Sequence, residues 1–241
     1  MRLFRSTEDD YYENAMRDYP LPLRIFYGTI IVILFAFSKV MWRWRVDNPA
    51  ELVSSDGTGS VIICNHTSMA EVVAIVTHIW MTGRRARPIM KSEFNDVRIV
   101  EWLFARVGAI PVERGTADMK SLRRAQHALQ RGEDILIFPE GTRIRTDDQP
   151  VEVHGGFALM AQMSKADIAP MAVCGFRDIT PVGSHIMRPK KTWIRCASRV
   201  SLSDAPKELK RRERLAWFEE ESIRRMYAVR DELRAEHPGR R

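Results

Sequence analysis

One histidine and one acid, His66 and Glu71, stand five residues apart just after the apolar run Val61-Ile62-Ile63-Cys64. Gly57 and Gly59 precede the run and Asn65 follows it, so it reads as a short buried strand, with Val72 to Trp80 as the helix after it. On one continuous helix a spacing of five turns two side chains about 140° apart. The pair therefore meets only if His66 stands on the turn and Glu71 in the first turns of the helix. There the carboxylate accepts from one ring nitrogen and leaves the other to face a substrate, the arrangement of a general base. A lone His-x-x-x-x-Glu is common and most often marks a partly buried polar turn. Cys64, two residues before His66, offers a thiol nucleophile on the same face of an extended chain. A strand interior suits an inert core cysteine better than a thiolate, and no Gly-x-Ser-x-Gly elbow is present.

Three further segments shift the balance toward catalysis. Phe138-Pro139-Glu140-Gly141-Thr142-Arg143 follows a second strand-like run, Asp134-Ile135-Leu136-Ile137. Gly108-Ala109-Ile110-Pro111-Val112-Glu113-Arg114 lies before it, and Ile168-Ala169-Pro170-Met171-Ala172-Val173 after it. In this order the four blocks, roughly residues 58–175, resemble the glycerolipid acyltransferase family of the lysophosphatidic acid acyltransferase type. The Phe-Pro-Glu-Gly-Thr-Arg block matches that family letter for letter. The sequence departs from the family twice: Glu71 stands where aspartate is usual, and His154 where many members carry lysine.

The resemblance implies transfer of a fatty acyl group from a thioester, on coenzyme A or acyl carrier protein, to the free hydroxyl of lysophosphatidic acid or a related lysophospholipid. His66 would be the base and Glu71 its partner, with no covalent acyl-enzyme, no cofactor beyond the thioester co-substrate and no metal. It also implies that Glu140 and Arg143 bind the glycerol phosphate, with Lys91 and Arg114 as further phosphate ligands. Phe138, Gly141 and Thr142 would shape the site. Arginine suits phosphate because its planar donors match the oxygens in pairs. A lysophospholipid-binding protein without turnover and an acyl-thioester hydrolase remain the alternatives.

The elements that must position these residues alternate. Strands are predicted near 60–64, 88–90, 109–112, 135–138 and 168–174, and helices near 70–81, 95–107, 117–131 and 156–165. That pattern predicts an α/β fold, a mostly parallel sheet with helices on both faces and sites beyond the carboxyl ends of the strands. A further strand-like run, Thr192-Trp193-Ile194-Arg195-Cys196, follows. Ser203-Asp204-Ala205-Pro206 reads as a helix start. The last helix carries Leu215, Phe218, Ile223, Met226, Val229 and Leu233 as a stripe packed on the domain or, in the sharper reading, laid on lipid.

With 241 residues the chain divides into an N-terminal membrane-associating helical segment, residues 1–45, and an acyltransferase domain, residues 46–241, closed by that amphipathic helix. The first twenty residues read as a surface segment or short amphipathic helix. Ile25 to Ser38 is an uncharged run of fourteen residues, short of the roughly 20 needed to cross a bilayer. Partial insertion of residues 25–42 in one leaflet is preferred to a single span, with Trp42, Arg43, Trp44 and Arg45 as a headgroup collar. The acidic leader is wrong for a signal peptide.

A net charge of +7 calls for an anionic partner. The basic residues are dispersed, with no nucleic-acid motif, so membrane lipid and the acyl carrier are the expected partners. Three scattered cysteines read as free thiols of a reducing compartment. The chain is placed at a membrane with its site on the cytoplasmic side, and its oligomeric state is not fixed by the sequence.

Overall fold

The computed structural model describes residues 7–52, 57–91, 105–112, 118–184 and 186–240. Among these residues seven strands form one sheet: β1 (Arg45–Asp47), β2 (Val61–Cys64), β3 (Ala86–Lys91), β4 (Ile110–Val112), β5 (Asp134–Ile137), β6 (Ile168–Cys174) and β7 (Trp193–Cys196). Their order is β1-β7-β6-β2-β5-β3-β4. β2 to β6 run parallel, while β7 pairs antiparallel with β6 and carries β1 parallel to itself. The expected strands are all present. The helix expected near 95–107 lies largely outside the described residues.

Each central strand is buried on both sides, and alternate residues serve opposite cores. Val61, Ile63, Ile135 and Ile137 meet Leu122, Ala125 and Leu129 of α4 (Met119–Gln130), Phe157 and Ala161 of α5 (Gly156–Ser164), and Phe218 and Met226 of α6 (Arg211–Glu236). Ile62, Cys64, Leu136, Met171 and Val173 meet Trp42 of α2 (Leu21–Trp42), Trp44, and Ala74, Ile75 and Ile79 of α3 (Met69–Met81). Period-two side chains on an α/β sheet require two covering layers. Burying each such aliphatic side chain contributes about 1.5–3 kcal/mol.

The N-terminal residues are built into this body. Helix α1 (Glu8–Glu13) is capped by Thr7, and its acids pair with Arg124 of α4 at 2.7 Å (Asp9) and 2.8 Å (Glu13). Arg87 of β3 is fully buried and ties the leader down: its guanidinium donates to the carbonyls of Tyr12 and Asn14 and pairs with Glu133 at 2.9 Å. Tyr11, Tyr12, Tyr19 and Tyr27 then form a separate aromatic core. The surface reading of residues 1–20 gives way here for the described part, because the buried arginine needs the leader's carbonyls as acceptors.

Helix α2 has 22 residues and is long and apolar enough to cross a membrane by length and composition. Tyr27, Ile31, Ser38 and Trp42 form one buried stripe along it, whereas Ile25, Phe26, Val32, Ile33, Phe37 and Val40 point outward. The expected headgroup collar is half wrong. Arg43 takes a left-handed conformation (φ 43°), and the turn it makes lets Trp42 and Trp44 both enter the core, 2% and 1% exposed. The Trp44 indole N–H donates to Ser38 Oγ at 3.1 Å, and the Lys39 ammonium lies 3.5 Å from a Trp44 ring centroid.

At the other end of the chain, the expected helix start at Ser203 is a 3₁₀ turn, Leu202–Asp204, capped by Ser201. Ala205, preceding Pro206, is extended at ψ 137°, as the proline ring requires of its neighbour, and α6 begins only at Arg211. Phe218, Met226, Val229 and Leu233 are buried, so the apolar stripe of α6 packs on the domain.

Candidate active site

The carboxyl end of β2 delivers the turn Asn65-His66-Thr67-Ser68, and Ser68 caps α3. Ser68 and Glu71 make a reciprocal capping box, which fixes the acid at the third helical position and turns it back toward the strand. Glu71 Oε1 lies 2.6 Å from His66 Nδ1 and accepts from Thr67 N–H at 2.7 Å. Its other oxygen accepts from the Thr67 hydroxyl at 2.7 Å and from Ser68 N–H at 3.1 Å. Glu71 is fully buried and the His66 side chain 13% exposed. With Nδ1 turned to the acid, Nε2 is the nitrogen left for a substrate, and the ring is stacked on Phe138 at 4.2 Å.

Neighbouring strands hold this turn from both sides. β2 pairs with β5 in the register Val61–Ile135, Ile62–Leu136, Ile63–Ile137, which, carried onward, sets His66 opposite Glu140. His66 N–H donates to Glu140 Oε2 at 2.7 Å, and the hydroxyl of Tyr227, on α6, donates to Oε1 at 3.2 Å. Glu140 is 4% exposed. Burial raises its pKa, against which the bonds from His66 and Tyr227 act. Burial, then Glu140, also pushes up the Tyr227 hydroxyl, which keeps it a donor. On the other flank the Asn65 side chain accepts from Val173 N–H at 2.8 Å and donates to its carbonyl at 3.2 Å, extending the β6 ladder past the end of β2. Ile144 N–H donates to the His66 carbonyl at 2.8 Å.

A family model described as Acyltransferase matches residues 43–174, more than half of the chain. The chain belongs to the acyltransferase family. It is 25% identical over 156 residues to a chloroplastic 1-acyl-sn-glycerol-3-phosphate acyltransferase of Arabidopsis thaliana, covering 64% of this chain and 41% of that protein. A Bacillus subtilis 1-acyl-sn-glycerol-3-phosphate acyltransferase is 28% identical over 118 residues, 49% of this chain and 57% of its own. The chain thus spans about half the length of the curated relatives it matches. The crystal structure of the 1-acyl-sn-glycerophosphate acyltransferase of Thermotoga maritima shares the fold, with a TM-score of 0.60, 19% identity and coverage of 87% of this chain and 89% of that one.

In this member of the family the Phe138 to Arg143 block follows β5 as a tight turn. Gly141 N–H donates to the Phe138 carbonyl at 2.9 Å, and Gly141 has φ 62°, a conformation glycine adopts without a Cβ penalty. Thr142 is exposed and Arg143 half-buried. Burial first, then Arg145, lower the Arg143 pKa, and Glu71 opposes them. The guanidinium makes no hydrogen bond or ion pair among the described residues, so positive charge there is left under-compensated. Lys91 ends β3 at the same edge of the sheet. Arg114 lies outside the described residues.

The thiol alternative fails on its surroundings. Burial raises the Cys64 pKa well above that of a free thiol, and Glu71 and Glu140 raise it further, so no thiolate forms beside His66. Sequence reading uses Asn65 only as the end of a strand and gives no role to Thr67, Ser68 or Tyr227. The Ser68-x-x-Glu71 capping box was readable. Tyr227, 87 residues from Glu140, carried no local signal.

Proposed function

We propose that the chain is a membrane-associated lysophospholipid acyltransferase that esterifies the free hydroxyl of lysophosphatidic acid from a coenzyme A or acyl carrier protein thioester. The observation that carries this reading is the 2.6 Å contact between His66 Nδ1 and Glu71 Oε1 at the carboxyl end of β2, within a chain of the acyltransferase family. His66 Nε2 removes the acceptor's hydroxyl proton as the oxygen attacks the thioester carbonyl, and Glu71 stabilises the imidazolium that forms. The tetrahedral intermediate collapses with loss of the thiolate, which takes the proton back from His66. No covalent acyl-enzyme forms.

Glu140 acts as a positioning residue. Its two oxygens hold the His66 main chain and Tyr227, so Arg143, whose side chain has no partner among the described residues, is the phosphate ligand on this turn, with Lys91 and Arg114 on the neighbouring blocks. Thr142 and Gly141 border the acceptor, and Phe138 braces the imidazole. The outward apolar face of α2 supports insertion into one leaflet. Three buried free cysteines accord with a site on the cytoplasmic side.

Incubating the protein in vesicles with labelled acyl thioester and lysophosphatidic acid tests the reading. The expected product is the diacyl lipid. Free fatty acid would make the protein a hydrolase, and absence of reaction with tight lysolipid binding would make it a binding protein.

A further inference from the structure

A cleft of about 360 Å³ lies apart from the catalytic turn, lined by Arg145, Arg177, Arg188, Lys190 and Arg240 against a single acid, Asp178. Arg177 follows the end of β6 and is 7% exposed. Its Nη1 donates to Asp147 at 2.9 Å, but Nε and Nη2 are buried with no partner among the described residues. Buried donors left unmatched cost about 1–3 kcal/mol each, and a planar guanidinium with two free N–H groups matches an oxyanion. The side chains of Arg145, Arg188 and Lys190 make no hydrogen bond or ion pair among the described residues. Asp178, 3.7 Å from Arg240, and Asp147, paired with Arg177, neutralise only part of the charge.

Position and size narrow the ligand. Arg145 adjoins Ile144, whose N–H holds the His66 carbonyl at 2.8 Å, so one loop borders both the cleft and the catalytic turn. Lys190 N–H donates to the Met41 carbonyl near the end of α2 at 3.0 Å, and Val182, Ile186 and Met187 are exposed close by. One wall of the cleft therefore adjoins the end of α2, whose outer face is apolar. The volume falls within the range of about 300–1,000 Å³ typical of small-molecule sites, which gives room for a nucleotide and not only one phosphate.

We propose that this cleft binds the phosphorylated nucleotide of a coenzyme A type acyl donor. The inference rests on the acyl-transfer reading and deepens it by choosing the donor. A thioester whose acyl chain enters the bilayer must leave its polar carrier outside, beside the reacting carbonyl. A phosphate monoester alone carries about −1.5 to −2, and with a diphosphate added it matches the excess of cations. An anionic lipid headgroup is the competing source of phosphate.

The test titrates the full chain in detergent micelles with coenzyme A, with pantetheine, which lacks the nucleotide, and with short-chain phosphatidic acid. Coenzyme A should bind, more weakly as salt rises, and pantetheine should not. The double variant Arg188→Ala/Lys190→Ala, both in the cleft wall, should weaken coenzyme A binding at least tenfold. It should lower the preference for acyl-coenzyme A over acyl-pantetheine in turnover by the same factor. Equal coenzyme A affinity in the two proteins overturns the proposal, and so does a loss confined to phosphatidic acid, which would mark a headgroup site. If the wild type makes no diacyl lipid yet its coenzyme A binding is lost in the variant, the transfer reading fails and the cleft stands. If it makes diacyl lipid and coenzyme A binding ignores the variant, the cleft alone fails.

Discussion

At the scale of single residues, the acid of the pair is fixed more firmly than the base. Glu71 accepts two donors on each oxygen, so Glu71→Asp withdraws the carboxylate from four partners although aspartate is the usual residue of the family. A misplacement of about 1 Å can lower turnover about a hundredfold, and kcat should fall on that scale with the acceptor KM little altered. Unchanged kcat would mean that the turn follows the shorter acid. Glu140 calls for the opposite balance of stability and rate. Its pKa is raised above the ordinary 4.5 by burial, so the folded protein binds more protons than the unfolded chain in the interval above that value. This group's contribution to stability therefore declines as pH rises through the interval. Glu140→Gln should flatten that decline and leave the melting temperature at pH 7 equal or higher, while kcat falls because His66 N–H loses a charged acceptor. A lower melting temperature with normal kcat would contradict the positioning role.

At the scale of elements, the entry to β2 is as tightly fitted as its exit. A Cβ on Gly59 would stand 1.8 Å from the Glu133 carbonyl oxygen. Gly59→Ala must therefore push β2 from α4 and β5, at about 1–3 kcal/mol or more, and the urea midpoint should drop accordingly. An unchanged midpoint would place the strand elsewhere. The strand, turn and helix around His66 were legible because their signals are local: an apolar run, a glycine boundary and helical periodicity. The parallel order of the central strands followed from alternation of strand and helix. Trp42 and Trp44 were not legible as core, since a left-handed Arg43 decides where they point. Nor was the clamp of Arg87 on the leader carbonyls, nor Tyr227 on Glu140, because both depend on residues that only the folded chain brings together.

For the whole molecule, the two faces of α2 separate folding from membrane attachment. Ile31 is 3% exposed and Ile33 61%. Ile31→Ala should lower stability by about 2–5 kcal/mol, as for a buried isoleucine. Ile33→Glu with Phe37→Glu should move the protein from sedimenting vesicles to the supernatant without shifting the melting temperature. If the charged pair unfolds the protein, the outer face belongs to its core. The central claim, that His66 and Glu71 work as one unit in acyl transfer, is tested most directly by kcat for diacyl lipid formation on vesicles in a cycle of His66→Ala, Glu71→Gln and the double variant. Glu71→Gln alone should lower kcat by roughly two orders of magnitude or more, and should lower it no further once His66 is alanine. Full turnover in Glu71→Gln beside an inactive His66→Ala, or losses that multiply in the double variant, would contradict it.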